Sequence, residues 1–441
     1  MSAAAPSVET LSSSRVTEDL LRPIVETTWR FWAAISVLGT IMAWAMFCWG
    51  YQIVEGLGVT GYNRTSMWGS YETNFVFWVG ISHAGTLISA ILRVTGASWR
   101  RPITRAAEAI TVFALMIGPM FVMIHLGRVW LFYWVIPFPN LRDLWPNFRS
   151  PLLWDFTCIN SYLLGSITYL YLPMIPDIAA VRDAAGTRLA PWRRWIYRLL
   201  AMGWEGTPRQ WALLERAISI MCVIIMPLAV SVHTVVSWVF SMTMNPMWHS
   251  TIFGPYFVVG AIFSGIAAVL VALFVIRKLL NLEAYIRPEH FDKLGLLLIT
   301  FCLLWGYFTF AEHLTVWYNK EVSETAVLLG RLSGPMAPLF WTMITCCLLI
   351  PLPLLILKRT PFGTLVASLS VLVGMWLERY IIVVGTLTRP RMQFVWHSYT
   401  PSWVELSIMA GSFAYFAFLY LMFAKFFPIV SIWEFKEGQR Q

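Results

Sequence analysis

Charge is scarce in this sequence. Asp, Glu, Lys and Arg together make up 12% of the 441 residues, about half the share usual in soluble domains, which excludes an ordinary water-facing surface. Cysteine is scarce as well. Cys48, Cys158, Cys222, Cys302, Cys346 and Cys347 all fall in apolar segments and form no CxxC pair, so neither an iron–sulfur cluster nor a zinc site is expected within the chain. The formal charge of +9 is spread over separate loops, which excludes a nucleic-acid footprint. No cleavable signal peptide is expected, because Glu18, Asp19 and Arg22 precede the first apolar run. Residues 1 to 14 are Ser- and Ala-rich and read as disordered.

What the chain has is apolar length. Hydrophobic residues make up 58% and the mean hydropathy is +0.65, the composition of an all-α polytopic membrane protein. Ten runs reach the roughly 20 residues a spanning helix needs: 31–54, 74–95, 106–134, 151–175, 212–243, 254–280, 293–319, 335–357, 361–387 and 403–427. With the amino terminus inside, 23 of the 32 Lys and Arg fall on the inner side and 8 on the outer side, while Arg379 lies within a span. That asymmetry predicts both termini in the cytoplasm. Residues 15 to 30 suit a helix lying at the inner interface. The inner loop near 176–211, with Arg182, Arg188, Arg193, Arg194, Arg198 and Arg209, reads as an anchor facing the lipid bilayer.

Ionisable residues inside spans are functional candidates by default. His125 ends the motif Pro119-Met-Phe-Val-Met-Ile-His125, and Asp155 ends Ser150-Pro-Leu-Leu-Trp-Asp155. A short loop near 135–150 joins their spans and so makes them antiparallel neighbours. His125 and Asp155 should therefore face each other a turn or two from one surface, with Arg128 on the same helical face as His125. A His and a carboxylate so placed suit a two-electron, two-proton reductant such as a quinol, whose two hydroxyls each need a proton acceptor. The alternative is a hydrogen bond that only ties two helices. Trp130, Trp134, Trp145 and Trp154 read as an aromatic belt at that surface, and Gly118-Pro119 should kink the third span.

A second polar set comprises His83, His233, Glu312, His313, Glu378, Arg379 and Tyr380. It could relay protons or hold a static ion pair, in which Arg379 takes Glu312 or Glu378 as its partner. His83 could equally hydrogen-bond across a helix contact. No span holds two histidines, which argues against stacked haems and leaves a single haem open. From residue 293 the chain repeats itself: His125-Leu-Gly-Arg-Val-Trp130 is echoed by His313-Leu-Thr-Val-Trp317, and Pro151-Leu-Leu-Trp-Asp155 by Pro338-Leu-Phe-Trp-Thr342. Spans two to five and six to nine then form two four-helix units, with Asp155 replaced by Thr342 in the second. Repeats and the Gly-Pro steps at 118, 254 and 334 also fit a proton-coupled secondary transporter. Against that, the His–Asp pair lies near one surface.

The segments Asn74 to Ile91, Gly118 to Arg128 and Ser150 to Phe156 resemble those of the NrfD-like, or polysulfide-reductase membrane-subunit, family, and the similarity runs from about residue 30 to 430. The resemblance implies two four-helix bundles, a quinone site near the outer surface and no haem or iron–sulfur cluster on the chain. Spans one and ten exceed the family's eight-helix minimum. In this the chain resembles the quinol-oxidising membrane subunit of bacterial alternative complex III. The implied organisation is an amino-terminal segment (1–30), a first span and outer loop (31–73), a quinol-site bundle (74–243), a second bundle (244–387) and a last span with its tail (388–441). By the same resemblance His125 and Asp155 serve quinol binding and proton abstraction, with Arg128 and Trp154 beside them. The implied substrate is quinol, taken as menaquinol. The implied partners are c-type cytochrome subunits, an outer-side iron–sulfur subunit and a second NrfD-like membrane subunit in a bacterial inner membrane, with proton translocation through both bundles. A homologue that had lost the site would be a non-catalytic anchor.

Overall fold

The structure is a computed structural model that describes residues 12–136, 150–185 and 188–440. Ten of its helices are long and apolar enough to cross a membrane. In chain order the crossings are α2 (Trp29–Glu55), α3 (Ser70–Val94), α4 (Thr104–His125), α5 (Pro151–Ala185), α7 (Pro208–Ser241), α8 (Phe253–Leu279), α9 (Pro288–Asn319), α11 with α12 (Ala337–Ile344 and Pro351–Leu357), α13 (Pro361–Leu387) and α14 (Trp403–Phe426). Four shorter helices lie outside them: α1 (Ser13–Val25), α6 (Pro191–Leu200), α10 (Val322–Leu332) and α15 (Ile432–Arg440). An even number of crossings puts α1 and α15 at one end, here called basal. The opposite end is called distal.

The helices close into two rings. α3, α4, α5 and α7 each pack on the next, and α7 returns to α3; α8, α9, α12 and α13 close in the same order. The rings meet along a seam where α3 and α7 face α8, and α2 pairs with α14 outside them. This shared neighbour order accords with the repeat offset, which sets α4 against α9 and α5 against α11.

Local chemistry explains the helix boundaries. Pro151, Pro191, Pro208, Pro288, Pro351 and Pro361 each open a helix, where a missing N–H costs nothing. Thr207 with Gln210, and Ser402 with Glu405, form capping boxes at the starts of α7 and α14. The eighth crossing is interrupted by a π-turn at Thr345–Leu349 just before Pro351, whose ring would otherwise clash with the Cys347 carbonyl. The carbonyls released there find partners: Cys347 O accepts from Cys302 Sγ (3.1 Å) and Cys346 O from Ser370 Oγ (2.9 Å). In hydrocarbon such substitutes are required.

Several expectations need correction. The third crossing does not run to 134. α4 stops at His125, Gly127 takes φ +67 as the left-handed residue after the cap, and Val129–Val135 is a 3-10 stretch. α5 continues to Ala185, well into the expected inner loop. Gly118-Pro119 lies inside a continuous helix, Gly254-Pro255 in the first turn of α8, and Gly334-Pro335 in a connection, so none of these steps breaks a spanning helix. Nothing in the sequence signals α15. It is held by Asp177, which accepts from Ile432 N (3.1 Å), Trp433 N (3.0 Å) and Ser431 Oγ (3.1 Å) and pairs with Arg105 at 2.6 Å. Glu434 of α15 reaches both Arg93 and Arg100. The predicted basal helix is α1, whose Val16, Leu20, Leu21 and Ile24 are buried where α1 packs against α5, α14 and α15. Trp145, most of the 135–150 loop and the expected disordered leader up to residue 11 lie outside the described residues.

Among the glycines the closest approach of one helix to another is at Gly85, where an added Cβ would overlap Ala107 O of α4. Gly85→Ala should cost about 1–3 kcal/mol by forcing α3 from α4. Gly58→Ala, with nothing within 4 Å, should leave the thermal unfolding midpoint of the purified protein unchanged. Equal midpoints for both variants would contradict the close packing of α3 on α4.

Candidate functional site at the distal end

His125 and Asp155 both reach the distal end of the first ring, His125 as the last residue of α4 and Asp155 about one turn into α5, and these helices are in contact. Asp155 is buried, and its Oδ1 has no hydrogen-bond partner. Such an atom is costly unless something else satisfies it. Glu72, in the first turn of α3, lies within electrostatic reach of it. The Nδ1 of His125 lies 3.4 Å from the Tyr62 hydroxyl, and the two rings meet edge to face at 5.6 Å. Arg128 does not share a helical face with His125. It follows the Gly127 turn and is exposed. Trp154 immediately precedes Asp155 and is half-buried.

The flanking pair of helices supports this corner. Gln52 of α2 donates to Ile124 O (3.0 Å), the carbonyl next to His125, and accepts from the Tyr71 hydroxyl (2.5 Å). Glu405 of α14 is fully buried and accepts from Ser70 Oγ (2.8 Å), Gly61 N (2.7 Å), Ser402 N (2.9 Å) and the Tyr399 hydroxyl. Four donors hold the carboxylate and close the two distal loops over α3. Tyr62 packs among Tyr71, Tyr399 and His125. Burial first, then the neighbouring Tyr399 and Glu405, push the Tyr62 hydroxyl well above the usual phenol range, and burial and Glu405 raise Tyr399 likewise. Both loop tyrosines keep their protons at neutral pH.

The second polar set divides into pairs. His83 and His233 meet at the seam with ring centroids 4.4 Å apart. His83 Nδ1 bonds Val79 O at 2.7 Å, while His83 Nε2 and both nitrogens of His233 have no partner. Arg379 takes its own neighbour: Nη1 lies 2.8 Å from Glu378 Oε2, at ion-pair distance but off the hydrogen-bonding axis. Trp305 Nε1 donates to Glu378 Oε1 at 2.6 Å, and the guanidinium lies 4.7 Å from the Phe257 ring centre. Glu312 instead lies within electrostatic reach of Arg331 of α10, a buried arginine that the sequence analysis did not single out. His313 bonds Thr309 O within its own helix (2.7 Å) and packs on Phe340. Tyr380 leaves the set and stacks on Trp376, which reaches Asn74 of α3. In place of Asp155, Thr342 donates only to Pro338 O of its own helix (2.7 Å).

Sequence reasoning missed Tyr62, Gln52, Tyr71, Glu72, Glu405 and Arg331. Of these only Glu405 carried a signal, the Ser-x-x-Glu start of α14. Among the described residues no three His, Cys, Asp or Glu side chains come together as metal ligands. A cleft of about 320 Å³ between Glu321, Val322, Pro390, Arg391 and Trp396 opens at the distal end, and neither His125 nor Asp155 lines it.

The family description "Polysulphide reductase, NrfD" matches residues 58–391, which span both rings and the distal corner. The chain belongs to the NrfD family. Its relatives include a provisionally named dimethyl sulfoxide reductase membrane subunit of Halobacterium salinarum, 26% identical over 57% of this chain and 53% of that protein. This chain thus matches about half the length of that relative. A selenate reductase subunit of Mesobacillus selenatarsenatis is 24% identical over 90% of this chain and 92% of its own length. The Hdr-like menaquinol oxidoreductase integral membrane subunit of Archaeoglobus fulgidus is 20% identical over 91% and 94%. The last two relatives each match about nine-tenths of the chain.

Breaking a buried ion pair costs more than replacing it. Arg379→Met should destabilise the protein by about 3–5 kcal/mol because it leaves the buried Glu378 without its cation, with only the Trp305 N–H still donating to it. Adding Glu378→Gln should recover most of that loss. Thermal unfolding of the two variants in one detergent makes the comparison, and equal midpoints would mean that water reaches the pair.

Proposed function

We propose that this NrfD-family chain is the quinol-oxidising membrane subunit of a multi-subunit oxidoreductase, with His125 and Asp155 as the proton acceptors. The observation that carries this reading is the buried, unpartnered Oδ1 of Asp155 at the distal corner that also holds His125. A quinol gives up two protons and two electrons as it becomes a quinone. One hydroxyl would donate to the imidazole of His125 and the other to Asp155, and the electrons would leave to an iron–sulfur partner docked at the distal end. A lipid-soluble substrate of this kind reaches a corner near the membrane surface directly from the bilayer. The name of the archaeal relative, a menaquinol oxidoreductase subunit, favours menaquinol.

The reading extends to a bacterial inner membrane with the distal end outside, c-type cytochrome subunits and a second NrfD-type subunit, as in alternative complex III. Proton translocation is supported by the line of buried polar groups from His83 and His233 at the seam to Glu378, Arg379 and Glu312 in the second ring. Arg128 and Trp154 would border the quinol. Second-ring Thr342, bonded to its own helix, would take no part.

The test is steady-state quinol oxidation by the complex purified from its host. His125→Gln and Asp155→Asn should each lower turnover at least a hundredfold while the partner subunits remain bound, and Thr342→Ala should leave it unchanged. Full turnover in both first-ring variants would refute the proposal and leave the chain an anchor for its partners.

A further inference from the structure

We propose that Tyr62 is a positioning residue that fixes which imidazole nitrogen of His125 faces the substrate, and that the flanking helices α2 and α14 complete the site for this purpose. The inference rests on the quinol reading above.

A neutral imidazole carries its proton on one nitrogen and accepts at the other, and the partner of one nitrogen decides the state of the other. Among the described residues one nitrogen of His125 has a polar side-chain contact: Nδ1, at 3.4 Å from the Tyr62 hydroxyl. That hydroxyl could donate to Nδ1 or accept from it. If it donates, the ring proton sits on Nε2 and the substrate-facing nitrogen cannot take a proton. If it accepts, Nδ1 carries the proton and Nε2 presents a lone pair to a quinol hydroxyl.

The charge nearby favours the second arrangement. Tyr62 is within electrostatic reach of Glu405, whose carboxylate gathers four donors. A negative charge there favours a Tyr62 O–H turned away from Nδ1 and a lone pair turned towards it. Other contacts hold both partners in register. Tyr62 is wedged between the rings of Tyr71 and Tyr399 at 5.8 and 6.3 Å. Gln52 of α2 clamps the last turn of α4 through Ile124 O, and Tyr71 in turn holds Gln52. Gly69 is part of the fit, because a Cβ there would strike both Tyr62 and Tyr399 within 2.6 Å. α2 contributes Gln52, α14 contributes Glu405, and the loop after α2 contributes Tyr62. None of these lies within the two rings.

Tyr62→Phe keeps the three ring contacts and removes only the hydroxyl, so the chain should assemble normally. In the purified complex this variant should lower kcat for quinol oxidation about tenfold, with KM changed less than twofold. Its solvent deuterium isotope effect on kcat should rise, because proton transfer to a wrongly protonated ring becomes slower. Thr342→Ala, which loses a hydroxyl bonded to Pro338 O of its own helix, should leave the isotope effect unchanged. An unchanged kcat in Tyr62→Phe, or a fall in kcat with no change in the isotope effect, would overturn the assignment. If His125→Gln retains full turnover, it is the quinol reading that fails; if His125→Gln is inactive and Tyr62→Phe is normal, only the present inference fails.

Discussion

Inside a bilayer there is no water to complete a hydrogen bond, and this constraint shapes the chain at every scale. Serine and threonine side chains within the crossings mostly bond back to a carbonyl three or four residues earlier, as Thr73, Thr315, Thr342 and Thr388 illustrate. The π-turn before Pro351 is tolerated because Cys302 and Ser370 from neighbouring helices take its carbonyls. Arg105 and Asp177 meet fully buried, and the same carboxylate caps α15. Satisfaction is not complete. Among the described residues the buried side-chain atoms without partners include hydroxyl, indole and guanidinium groups such as Ser166, Trp49 and Arg331 as well as Asp155 Oδ1, both nitrogens of His233 and Glu312 Oε1. Asp155 is the one of these that lies at the distal corner with His125.

The repeat gives the fold two rings of one design but only one distal corner of this chemistry. α4 and α9 each place a histidine towards the distal end, and α5 and α11 each begin near Pro-Leu-x-Trp. The second copy then differs in what its polar groups do. Thr342 is tied to its own helix, and His313 is turned onto Phe340. Glu312 lies within electrostatic reach of an arginine of α10, a short helix with no counterpart among the described residues of the first ring. Differences of a few side chains between two rings of one neighbour order cost little in such a fold, because apolar ring contacts need not change with them.

Much of this was legible in the sequence for physical reasons. Twenty or more apolar residues in a row fix a crossing regardless of detail, so all ten crossings were expected. His125 and Asp155 stood out because ionisable residues are rare within such runs. The end of α4 was readable in principle from Gly127, but the apolar Val129–Val135 stretch hid it by extending the hydrophobic run past the helix. α15 is short and polar on average, and what fixes it is Asp177, Arg93 and Arg100, more than two hundred residues earlier. Arg379 needed a buried carboxylate, and two were available; only the side-chain geometry decided for Glu378. Tyr62 lies in a loop, where neither periodicity nor hydropathy marks a residue as important, and Glu405, inside the 403–427 run, read as no more than the acidic partner of the Ser402 cap.

These missed residues bear on why the chain has ten crossings when two four-helix rings would hold His125 and Asp155. α2 and α14 bury little of their own surface and expose long apolar faces, with Val37, Phe47, Val54 and Phe413 among the exposed side chains. Such helices contribute little to the core. Their polar residues point the other way: Gln52 into the last turn of α4, and Glu405 into the loops that carry Tyr62. A buried carboxylate with four donors and a buried amide with two partners are costly to place and tolerate little movement. Residues of this kind give geometric definition to a corner where a helix has ended and a loop must hold a ring in place. The two extra helices are therefore best understood as the frame of the distal corner, set outside the rings because the groups they orient lie at the rings' edge.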